Sequence, residues 1–197
     1  MKRLFQIFGG GLGWSLGGPI GAILGVAFAN SLHDRMEGKN TGRPQSSFNS
    51  SRSSSASPSD FHLALLVHLI GDMHMPLHAG RKEDRGGNDI KLSWFSKPTN
   101  LHRLWDSDLI ESVNLSYTEL ADELNSQLSS SQLTRFNSGT YLDWIEDSHE
   151  AAASIYASAK EGDRLAYRYS YEYNDLLFMQ LQKGGVRLAR LLNQLFD

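Results

Sequence analysis

A chain of 197 residues, 40% hydrophobic and 10% aromatic, has the length and apolar material for one globular domain with a sizeable core plus a tail. A net charge of -3 excludes a global basic footprint for nucleic acid, yet it does not exclude a nuclease, because metal ions supply the positive charge that meets a phosphate. With no cysteine, a thiolate zinc site is excluded.

Met1-Lys2-Arg3 opens a stretch with no further charged residue as far as Ala29. Gly13, Gly17, Gly21 and Gly25 recur every four residues, which lines one helix face with glycine and permits close helix approach within a membrane. Ala27-Phe28-Ala29 is also the small-x-small pattern that a signal peptidase cuts. Eight glycines between Gly9 and Gly25, interrupted by Pro19, make a poor signal core. Residues 1–37 are therefore expected to be a glycine-rich membrane-associated segment, with a cleaved signal peptide as the alternative. Residues 38–60 read as a linker, since eight of the twelve residues from Ser46 to Ser57 are serine and no apolar periodicity survives.

From Phe61 the pattern changes. Leu63, Leu65, Leu66, Val67, Leu69 and Ile70 predict a dense apolar helix, buried almost all round, that Pro76 terminates. Residues 79–88 are charged and glycine-bearing, as a surface loop is. Ile90-Lys91-Leu92-Ser93-Trp94-Phe95 alternates briefly and predicts a short strand pair. Asn100 caps a second helix carrying Leu101, Leu104 and Leu109. Helical stretches follow over about 117–128, 140–160 and 163–195, with Gly184-Gly185 a place to bend the last. The expected class is mostly α, with one small β-hairpin.

Two clusters carry the chemistry. His68 and Asp72 form one H-x-x-x-D pair, followed by His78, and His102 and Asp106 form another. Four residues is about one helical turn, so each pair projects from one helix face. Imidazole plus carboxylate is a donor set that zinc accepts, and unpaired carboxylates on buried helices would be costly without a cation. A lone histidine on an apolar helix is ordinarily a satisfied core residue, but five candidates within 39 residues, sharing one spacing, argue for metal. His74 points to a different helix side. His149 has no partner one turn away and reads as a support rather than a ligand.

At these residues the chain resembles a known family. Val67-His68-Leu69-Ile70-Gly71-Asp72-Met73-His74-Met75-Pro76-Leu77-His78 looks like the core signature of the zinc-dependent single-strand nucleases of S-one/P-one type, which share an α-helical fold with bacterial phospholipase C. The likeness runs through Gly86-Gly87-Asn88, Asn100-Leu101-His102-Arg103-Leu104-Trp105-Asp106, Trp144-Ile145-Glu146-Asp147-Ser148-His149 and Gly185-Val186-Arg187-Leu188-Ala189. It covers about residues 61–197. The resemblance implies a trinuclear zinc cluster that cleaves RNA, single-stranded DNA and 3′-phosphates of nucleotides. By position, His78, His102 and Asp106 would form one complete zinc site, and His68 and Asp72 would serve a pair of zinc ions, with Asp72 bridging. A metal-activated water then does the chemistry, and no protein nucleophile is needed.

Family members also bind zinc through an amino-terminal tryptophan, a histidine soon after it, and an aspartate and histidine upstream of the first ligand helix. None of these is matched: Trp14 is internal, and His33 and His62 stand in other contexts. Residues 1–37 instead resemble the glycine-rich start of tellurite-resistance-type and membrane-anchored J-domain proteins, through Gly11-Leu12-Gly13-Trp14 and Gly17-Gly18-Pro19-Ile20-Gly21. The expected organisation is thus a phospholipase C/P-one nuclease-like helical domain, N-terminally incomplete, joined by a serine linker to a membrane-associated or signal segment in an extracytoplasmic setting. Expected partners are single-stranded nucleic acid or nucleotide substrates and a membrane. The alternative function is a catalytically incomplete zinc-binding domain held at a membrane by the glycine zipper.

Overall fold

The computed structural model describes residues 58–196. The glycine-rich segment 1–37, with Trp14 and His33, and the linker up to Ser57 lie outside the described residues. In chain order the elements are α1 (Pro58–His74), a 3-10 turn (Pro76–Ala79), β1 (Lys91–Trp94), β2 (Lys97–Asn100), α2 (Leu101–Arg103), a π turn (Leu104–Asp108), α3 (Leu109–Ser112), α4 (Tyr117–Ser126), α5 (Ser130–Phe136), α6 (Tyr141–Ser158), β3 (Arg164–Leu165) and α7 (Tyr167–Phe196). The mostly α expectation holds. No helix among the described residues is long and apolar enough to cross a membrane.

Helix α1 buries Ala64, Val67, Ile70 and Gly71, which recur at helical spacing, and packs on α6 and α7. It is not buried all round, however. Leu65 and Leu69 remain 38% and 50% exposed, because helices pack on one side of α1 and leave its other face open among the described residues. The expected hairpin is present: Trp94 pairs with Lys97, and the two turn residues Phe95 and Ser96 both have positive φ, the twist that a two-residue hairpin requires. A third strand was not expected. β3 adds parallel to β1, giving the order β2-β1-β3. The residues after 163 were read as helix, but Arg164-Leu165 is drawn into the sheet, where the Leu165 carbonyl accepts from Phe95 N–H at 3.0 Å.

Helices α4, α5 and α6 each begin with a capping box, formed by Ser116 with Glu119, Ser129 with Gln132, and Thr140 with Asp143. The middle one starts a helix that periodicity did not reveal, since α5 is only seven residues long and buries Phe136 alone. Helix α7 runs unbroken through Gly184-Gly185, with Leu181, Arg187 and Leu188 packed on either side.

A buried polar network ties α1, α6 and α7 together. The Arg187 side chain donates to Asp147 and to the Phe136 carbonyl, and its Nη1 lies 2.9 Å from His74 Nε2. His74 Nδ1 lies 2.7 Å from the Ile70 carbonyl, so it donates there and Nε2 accepts from Arg187. Lys183 adds a 3.2 Å contact to Asp147. Burial, together with the positive charges of Arg187 and Lys183, pushes the His74 imidazole down to about 4.

Two measurements follow from this network. Replacing Arg187 by leucine removes the donor to His74 Nε2 and leaves Asp147 only its Lys183 contact; it is expected to cost roughly 2–4 kcal/mol in urea unfolding, and a loss within error of zero would refute the network's structural role. The His74 shift also fixes a sign. The unfolded chain takes up a proton at the ordinary 6.5, and the folded chain does so only near 4, so stability is lost as pH falls across that window. His74→Gln should flatten this part of the stability–pH curve; an unchanged slope counts against it.

Candidate metal centre

Helix α1 delivers the first pair of donors. His68 and Asp72 lie one turn apart in regular α-helix, with His68 Nε2 3.4 Å from Asp72 Oδ2. The chain then leaves the helix, and Pro76 at the start of the 3-10 turn swings His78 back toward it. His78 Nδ1 lies 3.4 Å from the other Asp72 oxygen, so one carboxylate receives an imidazole on each side. The His102 ring stacks on His78, with centroids 5.1 Å apart and planes 28° from parallel. Asp106 completes the neighbourhood through its charge, which acts on His78. The fold thus gathers all five sequence-predicted residues.

Electrostatics follow the geometry. Burial pushes Asp72 up, but its hydrogen bond to His78 and the charges of His78, His68 and His102 outweigh this and hold the carboxyl below its usual range. Burial pushes His78 down, yet the Asp72 bond and the charges of Asp72 and Asp106 win and raise the imidazole. Neither carboxylate is fully buried; the Asp72 side chain is 37% exposed. The cost of an unpaired carboxylate is correspondingly lower than for a sequestered one.

Among the described residues, no three His, Asp or Glu side chains stand preassembled to hold an ion. The physical reason is visible at both pairs. Asp72 spends its two oxygens on imidazoles rather than directing them toward a common point. At the second pair, the Leu109 N–H bonds back five residues to the Leu104 carbonyl, so Asp106 sits in a π turn. That carries it off the α-helical register presumed by a four-residue spacing. The apolar pairs Leu104-Trp105 and Leu109-Ile110, five residues apart, are the sequence signal of this turn.

The donor chemistry nevertheless fits zinc. His102 Nδ1 lies 2.8 Å from the Gly86 carbonyl and donates to it, which fixes the tautomer and leaves Nε2 as the ligating atom. His68 Nδ1 is buried without a hydrogen-bond partner. Gly86 reaches His102 in the left-handed region, with φ of 65°, and a Cβ there would fall 2.4 Å from the Leu77 carbonyl oxygen and 3.3 Å from His102 Nδ1. Gly87 follows at φ 82°, its N–H bonded to Asp84 at 2.8 Å. The glycine pair of the loop is therefore what brings the 79–88 segment against the ligand helix.

Three groups beyond the predicted ligands hold the centre in place. Ser148 donates to the Met73 carbonyl, and His149 Nδ1 lies 2.8 Å from the Ala79 carbonyl, so α6 grips both ends of the turn that carries His78. Gln180 donates to the His74 carbonyl at 3.4 Å. His149 thus supports a ligand-bearing segment through the backbone. His62 is exposed near the start of α1. Two cations of the charged loop have protein partners: Arg81 lies over the Tyr156 ring of α6 at 4.2 Å, and Arg85 pairs with Asp89. Trp94 packs into the core.

The sequence profile of the S1/P1 Nuclease family matches residues 42–197, and that of the Co-chaperone DjlA transmembrane domain matches residues 1–43. Endonuclease 2 of Arabidopsis thaliana is 33% identical over 148 residues, 68% of this chain and 51% of that protein. Endonuclease 4 of the same plant is 34% identical over 150 residues, 68% of this chain and 50% of its own length. Nuclease S1 of Aspergillus oryzae is 31% identical over 156 residues, 66% of this chain and 53% of its own length. The chain spans about half the length of the curated relatives it matches.

Gly86→Ala tests the orientation of His102. It is expected to weaken zinc binding by roughly 10–100-fold in chelator competition, the usual effect of disturbing a group that aims a ligand. Gly162, also at positive φ but with nothing near its would-be Cβ, is the control. Equal zinc affinity for Gly86→Ala and Gly162→Ala would refute the assignment.

Proposed function

We propose, from the premise that the chain belongs to the S1/P1 nuclease family, that it is a zinc-dependent endonuclease or phosphodiesterase acting on single-stranded DNA and RNA and on 3′-nucleotides. The observation that carries this reading is the Asp72 carboxylate held between His68 and His78, with His102 stacked beyond. Its all-imidazole and carboxylate chemistry supports zinc, and the names of the relatives, nucleases and endonucleases, support phosphoester hydrolysis. The choice of single strands rests on the family resemblance.

His78, His102 and Asp106 would hold one zinc ion, and His68 and Asp72 would hold a pair, with Asp72 shared. Zinc, when bound, supplies the positive charge that lowers the pKa of water and stabilises a charged phosphate and leaving oxygen. The protein side chains contribute positioning. Gly86 fixes the His102 tautomer, and Ser148 and His149 hold the backbone on either side of His78. Asp72 raises the proton affinity of His78, so a proton on that imidazole would compete with an ion for it.

In domain terms we assign residues 1–37 to a membrane-associated segment, 38–60 to a linker and 61–197 to the catalytic domain, in an extracytoplasmic location. The match of residues 1–43 to a transmembrane domain profile supports the first part. A second reading is a catalytically incomplete zinc-binding helical domain held at a membrane by the glycine-zipper segment, which the same transmembrane match supports.

Metal analysis of the full-length chain separates the two. The nuclease reading expects three zinc ions per chain with cleavage of single-stranded DNA, whereas one ion without cleavage would sink it. His102→Ala should lose zinc and lower the melting temperature; unchanged metal content would overturn the ligand assignment.

A further inference from the structure

The opening of α7 carries tyrosine at every second position: Tyr167, Tyr169, Tyr171 and Tyr173. On a helix this alternation splits the four into two pairs on opposite sides, each pair one turn apart. Tyr169 and Tyr173 face inward. Their rings stack at 4.6 Å and both meet the edge of Trp105, whose indole N–H donates to the Tyr169 hydroxyl at 2.8 Å. Tyr167 and Tyr171 face outward and are 79% and 89% exposed. Phe95, at the hairpin tip, sets its ring edge-on to Tyr167 with centroids 4.6 Å apart. Phe95 takes the left-handed conformation of the two-residue hairpin turn, φ 45°, and is 37% exposed at the tip.

We propose that Tyr167, Tyr171 and Phe95 form a platform on which unpaired bases of single-stranded nucleic acid stack. The inference rests on the nuclease reading and assigns it a substrate-holding surface. Three observations choose nucleic acid as the occupant. The patch is aromatic without exposed large aliphatic residues; the exposed leucines and Ile145 lie elsewhere, so it lacks the mixed apolar character of a protein-binding face. Exposed basic side chains stand on the same elements or on the adjoining strands. Lys97 and Arg164 are exposed on the strands that flank β1, and Arg168 sits between the two tyrosines, its charge shared with Glu172 at 2.7 Å. Flat rings beside cations are what a sequence-tolerant single-strand site uses, bases on the rings and phosphates on the cations. Finally, chain connectivity links the patch to the candidate donors: Trp105, bonded to the inward Tyr169, precedes Asp106, and β2, which follows Phe95 and Ser96, leads through Asn100 to His102.

The test is binding of fluorescent phosphorothioate-linked single-stranded oligodeoxynucleotides to the zinc-loaded full chain by anisotropy, with the oligonucleotide recovered intact so that binding is read without cleavage. The double variant Tyr167→Ala, Tyr171→Ala should bind at least ~10-fold more weakly, given the usual contribution of base–aromatic stacking. The double variant Tyr167→Phe, Tyr171→Phe should bind as the parent does, because it keeps the rings. An oligomer of abasic sites should bind the parent as weakly as the intact oligomer binds the alanine variant. Equal binding by parent and alanine variant, full binding of the abasic oligomer, or equal loss in both double variants would overturn the platform. So would a change in the molar mass of the chain on alanine substitution, which would assign this face to a second copy. Cleavage by the zinc-loaded parent is scored separately. Cleavage with ring-independent binding overturns the platform and keeps the nuclease reading, whereas ring-dependent binding without cleavage does the reverse.

Discussion

The hold of α6 on the backbone between α1 and the 3-10 turn is the interaction on which the rest of the centre depends. A helix end leaves carbonyls unsatisfied, and the end of α1 must also release the chain so that His78 can return toward Asp72. Ser148 and His149, adjacent on α6, accept that task from opposite sides, one at Met73 and one at Ala79. Arg187 and Gln180 on α7 then fix His74 and its carbonyl. The ligand turn is thus held through main-chain atoms by residues that never face the metal donors. This explains why the Trp144–His149 run and the stretch around Arg187 share in the family resemblance although neither contains a predicted ligand.

Much of the site was legible because its donors obey short-range spacing. His68 and Asp72 meet as the helical turn requires, and Asn100 caps the second ligand helix as its side-chain chemistry predicts. What escaped was whatever depends on distant partners. The role of His74 was hidden because Arg187 lies 113 positions away, and the third strand because its two residues acquire extended form only by pairing with β1. Burial was overestimated for α1, since apolar spacing reports how much surface a helix offers and not how many neighbours cover it. The alternating tyrosines of α7 were visible in the sequence, but their split into a locked pair and a free pair emerges only with Trp105 in place.

Electrostatically, the centre is a cluster whose members satisfy one another. Asp72 sets its oxygens beside two imidazoles, and its hydrogen bond and charge raise the proton affinity of His78. A metal ion and a proton would compete for that imidazole. The Gly86 carbonyl engages Nδ1 of His102 and leaves Nε2 available to an ion.

The π turn has an effect on phase. Along an uninterrupted α-helix, burial of Leu104 and Trp105 would be followed one turn later by Asp108; here Leu109 and Ile110 are buried instead. Asp108 turns aside, only 13% exposed, to the Thr99 hydroxyl and Arg103. The single additional residue in that turn lets one continuous segment serve two surfaces with different periodicities, donors upstream and leucines downstream. Shortening the turn by one residue would force a choice between them, so chain length at this point is as constrained as residue identity.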